Sequence, residues 1–196
     1  MQSPYALGND ALYRRWRAWK LENYPVRTES IVVEVRDPRN PSPTETQELL
    51  RICRKANMAI YRSRLGDEAD KDIPRRFGAH FGLHRLDSNL LADEDSITSI
   101  EAVPGKSGRG YIPYSNRRLL WHTDGYYNPE TRRIRVFLLH CVQPAAEGGE
   151  NALLDPEIAY IRLRDANPDY IRALMAPDAM TIPPNTEEGA ERPASV

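Results

Sequence analysis

The hydrophobic pattern of this chain switches repeatedly between a two-residue and a helical period. Ile31-Val32-Val33-Glu34-Val35 is a short β-branched run and predicts a strand. After the turn signals of Pro38 to Pro43, Leu49, Ile52, Cys53 and Ala56 form one apolar stripe, predicting a helix over 43–56. Ser42 is its expected cap, Pro43 suits its first turn, and Glu45 completes a capping box. Met58 to Tyr61 predicts a short returning strand. Ile73, Phe77 and Phe81, four apart, predict a second helix over 73–82, with Gly82 as its stop. Ser96 to Val103 and Ile134 to Cys141 read as further strands. In the latter, Val136, Leu138 and His140 share one face, and Phe137, Leu139 and Cys141 the other. Asp155-Pro156 and Asn167-Pro168 each open a short helix, and the stretch from Pro183 to Val196 is polar.

The first thirty residues carry a weaker pattern and are expected to form an N-terminal helical extension. Tyr13-Arg14-Arg15-Trp16-Arg17-Ala18-Trp19-Lys20 is basic and aromatic. It fits a surface helix with Leu12, Trp16 and Trp19 turned inward and the cations solvated, or a surface that meets a phosphate or a partner.

Composition narrows the function classes. The 196 residues suit one domain and are 40% hydrophobic and 28% charged, an ordinary soluble balance. A formal charge of -1 disfavours nucleic acid as a general partner. No apolar run approaches the roughly 18 residues of a membrane span, and the N-terminus lacks the apolar core of a secretory signal. With only Cys53 and Cys141, no disulfide framework is expected. A cytoplasmic protein, without membrane or nucleic-acid partners, is the expectation.

Candidate chemistry centres on Leu119-Leu120-Trp121-His122-Thr123-Asp124-Gly125. If the segment is extended, His122 and Asp124 point the same way while Thr123 turns aside. One nitrogen and one oxygen donor suit a divalent metal, with Fe(II) held by two histidines and a carboxylate as the leading case. His-x-Asp alone fits a hydrogen bond or ion pair equally well. Three other histidines are available. His80 reads as a core or cap residue, with ligation by His80 or His84 as the lesser alternative, and His140 as a buried residue or a third ligand. Tyr114, Asn116, Tyr126 and Tyr127 flank the motif as substrate-pocket candidates, and Asn128 is placed with the last two to line a pocket; the tyrosines could instead fill space structurally. Arg132, Arg133 and Arg135 fit an anion site or a solvated face. Pro104 to Gly110 contains glycine, lysine and serine but lacks the P-loop order, and is better read as a hairpin or lid.

Several words taken together resemble the taurine dioxygenase-like family of Fe(II)/2-oxoglutarate-dependent oxygenases. They are Trp121-His122-Thr123-Asp124-Gly125, Gly148-Gly149-Glu150-Asn151, Asp155-Pro156 and Ala159-Tyr160, with Phe77-Gly78 and Phe81-Gly82 upstream. The resemblance spans about 40 to 175 and is strongest over 119–163. It implies a mainly β fold with flanking helices, a distorted double-stranded β-helix (jelly roll, cupin-like). It also implies that His122 and Asp124 are metal ligands and that 2-oxoglutarate is the cosubstrate. Asn151 stands where the family often has a threonine that helps hold 2-oxoglutarate, and its amide can still donate. The family's distal histidine and following arginine have no counterpart after His140, so the single domain is expected to be C-terminally incomplete, with a partial jelly roll.

The implied activity is hydroxylation of a small molecule by O2, with decarboxylation of 2-oxoglutarate to succinate. Retention of the Asp124 carboxylate favours hydroxylation over halogenation. The alternative is an inactive relative serving as a binding or interaction module, and assembly as a homo-oligomer is compatible with either.

Overall fold

A computed structural model describes residues 3–66, 68–87, 95–101, 115, 117–184 and 186. They fall into two compact units, one within Met1–Phe81 and Cys141–Thr181, the other within Gly82–His140 and Ile182–Ser195.

The first unit contains a β-α-β core. Strand β1 (Val32–Val35) and strand β2 (Ile60–Ser63) pair in parallel, in the register Val32↔Ile60 to Val35↔Ser63. Parallel neighbours need a long crossover, and the helix Pro43–Ala56 provides it. That helix, α2 after the N-terminal α1 described below, begins where the sequence predicts. The Ser42 hydroxyl accepts from the Glu45 N–H at 3.2 Å. Glu45 accepts in return from the N–H groups of Ser42 at 2.6 Å and Arg36 at 2.9 Å. Those two donors hold the Glu45 carboxyl below its usual range. Leu49, Ile52 and Ala56 are buried as the stripe requires, each large side chain contributing ~1.5–3 kcal/mol. Asn57 ends the helix in the left-handed region, φ 56°. The turn displaces β2 two residues beyond the expected Met58–Tyr61.

Helix α3 (Asp72–Ala79) packs through Ile73 and Phe77. The Phe77 ring lies 4.3 Å from that of Tyr61 and 5.1 Å from that of Phe81, centroid to centroid. The helix closes at His80, earlier than expected, and Gly82 follows at φ 78°.

Helix α1 (Asp10–Asn23) corrects the expected inward face. Tyr13 and Lys20 are buried, Leu12 and Trp16 are half-buried, and Trp19 is 43% exposed. The inward stripe is 13-16-17-20, one helical face. Carboxylates on helix α4 (Pro156–Ala166) select it. Lys20 Nζ lies 2.7 Å from Asp155 and 2.5 Å from Glu157, with Lys20 and Asp155 both fully buried. Asn57 donates to both carboxylates at 2.9 Å, and the Tyr5 hydroxyl donates to Glu157. Two turns on along α4, Arg164 meets Asp10 at 3.0 Å and lies 3.8 Å from the Tyr13 ring centroid. Asp165 accepts from Tyr13 and Arg17, each at 2.7 Å. Asp155 also caps α4, and Asn167 caps α5 (Pro168–Leu174).

The expected strands at 96–103 and Ile134–Cys141 form no ladder among the described residues. Alternation supplies a surface for packing, whereas a strand needs a hydrogen-bonded neighbour. The two-residue rhythm survives partly in burial: Ile134, Leu138 and His140 are half-buried, and Arg135, Phe137 and Leu139 are exposed. Among the described residues, no helix is long and apolar enough to cross a membrane.

Candidate metal centre

The His-x-Asp motif lies in the second unit, on the approach to a tight turn rather than in a strand. The chain turns twice in succession: the Tyr126 N–H donates to the Thr123 carbonyl at 3.3 Å, and the Asn128 N–H to the Gly125 carbonyl at 2.8 Å. Gly125 takes φ +64°. A Cβ there would stand 2.5 Å from Ile134 Cγ1 and 2.8 Å from Asn128 Nδ2. Both the backbone conformation and the packing therefore require glycine directly after Asp124.

The turn brings His122 and Asp124 together without strand alternation. His122 Nε2 lies 3.3 Å from Asp124 Oδ1, and the side chains are 37% and 52% exposed. The other ring nitrogen, Nδ1, is 2.7 Å from the Leu120 carbonyl oxygen. A carbonyl can only accept, so Nδ1 carries the proton. In the neutral ring, Nε2 then presents its lone pair toward the carboxylate. Two acceptors at this distance repel unless a proton or a cation lies between them. Metal bonds to imidazole nitrogen and carboxylate oxygen are ~2.0–2.2 Å, so donors about 100° apart on one cation are separated by about 3.2 Å. The pair thus fits a shared divalent cation, with the backbone bond fixing the histidine tautomer as metal sites commonly require.

The tyrosines after the turn stack edge to face, 5.3 Å between centroids. Tyr126 is exposed and Tyr127 half-buried. The Tyr127 hydroxyl is pushed above its ordinary range, first by burial and then by the negative charge of Asp124. Tyr114 and Asn116 lie outside the described residues. Asn151 is exposed in the first unit, following Gly148 and Gly149 at φ 69° and 79°.

Among the described residues, no third histidine, cysteine or acid joins His122 and Asp124 in a metal-binding group. His80 caps α3 and is exposed, His84 is exposed, and His140 is half-buried. Arg132, weighed from sequence as an anion ligand or solvated cation, is an ion-pair partner. Its Nη2 and Nε donate to Asp87 Oδ1 at 2.8 and 3.0 Å. Asp87 was missed as a member of this cluster, whereas Asn128 follows the two tyrosines in the segment expected to line the pocket. Asp87 is distant in sequence from the turn it contacts, and no local periodicity points to it.

The model of the taurine catabolism dioxygenase TauD, TfdA family matches residues 20–194. The chain belongs to the TauD/TfdA family. Among curated relatives, a uridine-5'-phosphate dioxygenase from Amycolatopsis sp is 34% identical over 68 residues, covering 33% of this chain and 24% of that protein. A uridine-5'-phosphate dioxygenase from Streptomyces sp is 30% identical over 115 residues, covering 58% of this chain and 41% of that protein. The TauD/TfdA chain thus spans less than half the length of either relative over the matched region. No solved structure matches it. The family match includes the His122–Asp124 turn, the Gly148–Asn151 turn and α4.

Proposed function

We propose that the protein is an Fe(II)/2-oxoglutarate-dependent dioxygenase in which His122 and Asp124 hold the metal. The observation that carries this reading is the 3.3 Å separation of His122 Nε2 and Asp124 Oδ1, with Nδ1 committed to the Leu120 carbonyl. Bound iron would supply oxidative decarboxylation of 2-oxoglutarate to succinate and carbon dioxide, coupled to hydroxylation of a small-molecule substrate by O2. The protein's share is placement. The Leu120 carbonyl keeps the proton on Nδ1, leaving Nε2 as donor, and the glycine turn holds the Asp124 carboxylate beside it. Asn151 is the residue we assign to hydrogen-bonding 2-oxoglutarate. Tyr126, Tyr127, Tyr114 and Asn116 are our substrate-pocket assignments. A distorted jelly roll remains our reading of the complete fold, from family membership, and the cytoplasm our reading of location.

For the substrate we infer a phosphate-bearing nucleoside. The reading rests on the names of the two curated relatives. The exposed cations Arg117, Arg118, Arg133 and Arg135 lie in the same unit as the pair and supply charge of the required sign.

The test measures succinate from the protein loaded anaerobically with Fe(II), then supplied with 2-oxoglutarate and O2. Uridine-5'-phosphate, uridine and taurine are compared as substrates. The reading expects iron-dependent succinate and a hydroxylated product, fastest with uridine-5'-phosphate. Equal rates with uridine and its phosphate would remove the phosphate inference. Succinate formation that does not respond to iron, or none with any substrate, would contradict the dioxygenase reading.

A further inference from the structure

We propose that Asp87 is a positioning residue for the metal pair, acting through Asn128 and Arg132. The inference rests on the metal reading of His122 and Asp124. Both oxygens of the Asp87 carboxylate are engaged. Oδ1 accepts from Arg132 Nε and Nη2, and Oδ2 accepts from Asn128 Nδ2 at 3.3 Å. The same Asn128 amide nitrogen donates to the Arg132 carbonyl at 3.1 Å, and the Asn128 backbone N–H closes the Gly125 turn at 2.8 Å. A carboxylate 41 residues upstream of Asn128 is thereby tied to the turn that immediately follows Asp124.

The clamp reaches the pair through close packing. Asn128 Nδ2 stands 2.8 Å from the position a Gly125 Cβ would take, so its amide lies directly against the residue after Asp124. On the other side of the turn, the 3-10 segment Glu130–Arg132 is set by the Arg132 N–H donating to the Pro129 carbonyl at 2.8 Å. Asp87 therefore fixes both ends of the 128–132 segment, one through an amide and one through a guanidinium. Its charge also reaches Tyr127, whose hydroxyl it helps to push upward, after burial, Asp124 and Tyr126. Without the clamp, the turn would keep its glycine and its backbone bonds but lose the anchor that holds it in one orientation. Metal affinity responds to such outlying partners, typically by 10- to 100-fold when they contact a ligand. Asp87 acts one contact further out, so the lower end applies.

The experiment titrates Co(II), as an anaerobic spectroscopic stand-in for Fe(II), into the wild-type protein and into variants, and records thermal midpoints alongside. Asp87→Ala should weaken Co(II) binding about tenfold and alter the visible ligand-field bands, with little change in midpoint. Asn128→Asp, which sets two carboxylates against each other, should weaken it at least as much. Arg132→Lys keeps the charge but not the two-nitrogen fork, and should fall between wild type and Asp87→Ala. His122→Ala separates the two ideas. If His122→Ala loses Co(II) while Asp87→Ala binds it as tightly as wild type, the positioning role is overturned and the metal reading stands. If His122→Ala binds Co(II) like wild type, or wild type takes up none, both are overturned. A lowered midpoint in Asp87→Ala with unchanged affinity would make Asp87 merely structural and also overturn the proposal.

Discussion

Two ionic clusters in this molecule use the same residue types in opposite ways. In the first unit, Lys20, Asp155, Glu157, Asn57 and Tyr5 form a knot whose central lysine and aspartate are sealed from solvent. In the second, His122 and Asp124 face each other across 3.3 Å and stay substantially exposed. The buried knot is closed on itself: each carboxylate has a cation and amide or hydroxyl donors. The exposed pair sets an imidazole nitrogen against a carboxylate oxygen where a proton or a cation from solvent can reach both. Burial among mutual partners marks a cluster that holds elements together; a donor pair in reach of solvent marks one that can bind something.

The sharpest way to break the comparison is to remove the buried cation. Lys20→Met leaves two carboxylates facing one another inside the first unit and should cost about 4 kcal/mol. Chemical denaturation would register this as a large fall in midpoint. A change below about 1 kcal/mol would mean that the knot is not sealed in solution.

Gly125→Ala attacks the other side and should cost about 2 kcal/mol, because an alanine meets both a positive φ and the Ile134 side chain. The loss should appear as faster amide exchange around 123–128, with α2 and α4 unaffected. Uniformly unchanged exchange would show that the turn accommodates a side chain.

Acid titration should then dissect the first unit more gently. Burial pushes the Glu157 carboxyl upward, but hydrogen bonds from Lys20, Tyr5 and Asn57 outweigh it and leave the group below its ordinary 4.5. Asp165 is likewise held below 3.8, with Tyr13 and Arg17 outweighing burial. Lowered folded-state values mean that the unfolded chain binds protons first. Their stabilisation is full above the ordinary carboxylate range and disappears as pH falls through the lowered values. Midpoints measured between pH 7 and pH 2 should fall with acid, less steeply in Asp165→Asn. Acid-independent stability would contradict this assignment.

The smallest effect belongs to the exposed cross-strand pair of Glu34 and Arg62. Arg62→Ala should change stability by no more than ~0.5 kcal/mol. A larger loss, read by the same denaturation curves, would mean that Arg62 has a partner beyond this pair.

The parts legible in the sequence are those whose causes are local. Helix α2 carries its cap, its proline, its capping box and its stripe within fifteen residues, and forms where those signals put it. Helices α4 and α5 follow from Asp155-Pro156 and Asn167-Pro168 for the same reason. The expected proximity of His122 and Asp124 is found, though a turn rather than a strand brings them together. The inward face of α1 was not legible, because carboxylates more than a hundred residues away choose Lys20 over Trp19. Asp87 was hidden in the same way, its meaning supplied by Asn128 and Arg132. At Ile134–Cys141 the alternation persists only in part, with Val136 exposed, and pairing is a property of two segments that cannot be read from one.

The most direct test of the central claim is anomalous diffraction from crystals of the protein loaded anaerobically with Mn(II). The account predicts an anomalous peak bonded to His122 Nε2 and an Asp124 carboxylate oxygen, with Nδ1 still donating to the Leu120 carbonyl. A metal bound through Nδ1, or a principal peak away from both side chains, would contradict it.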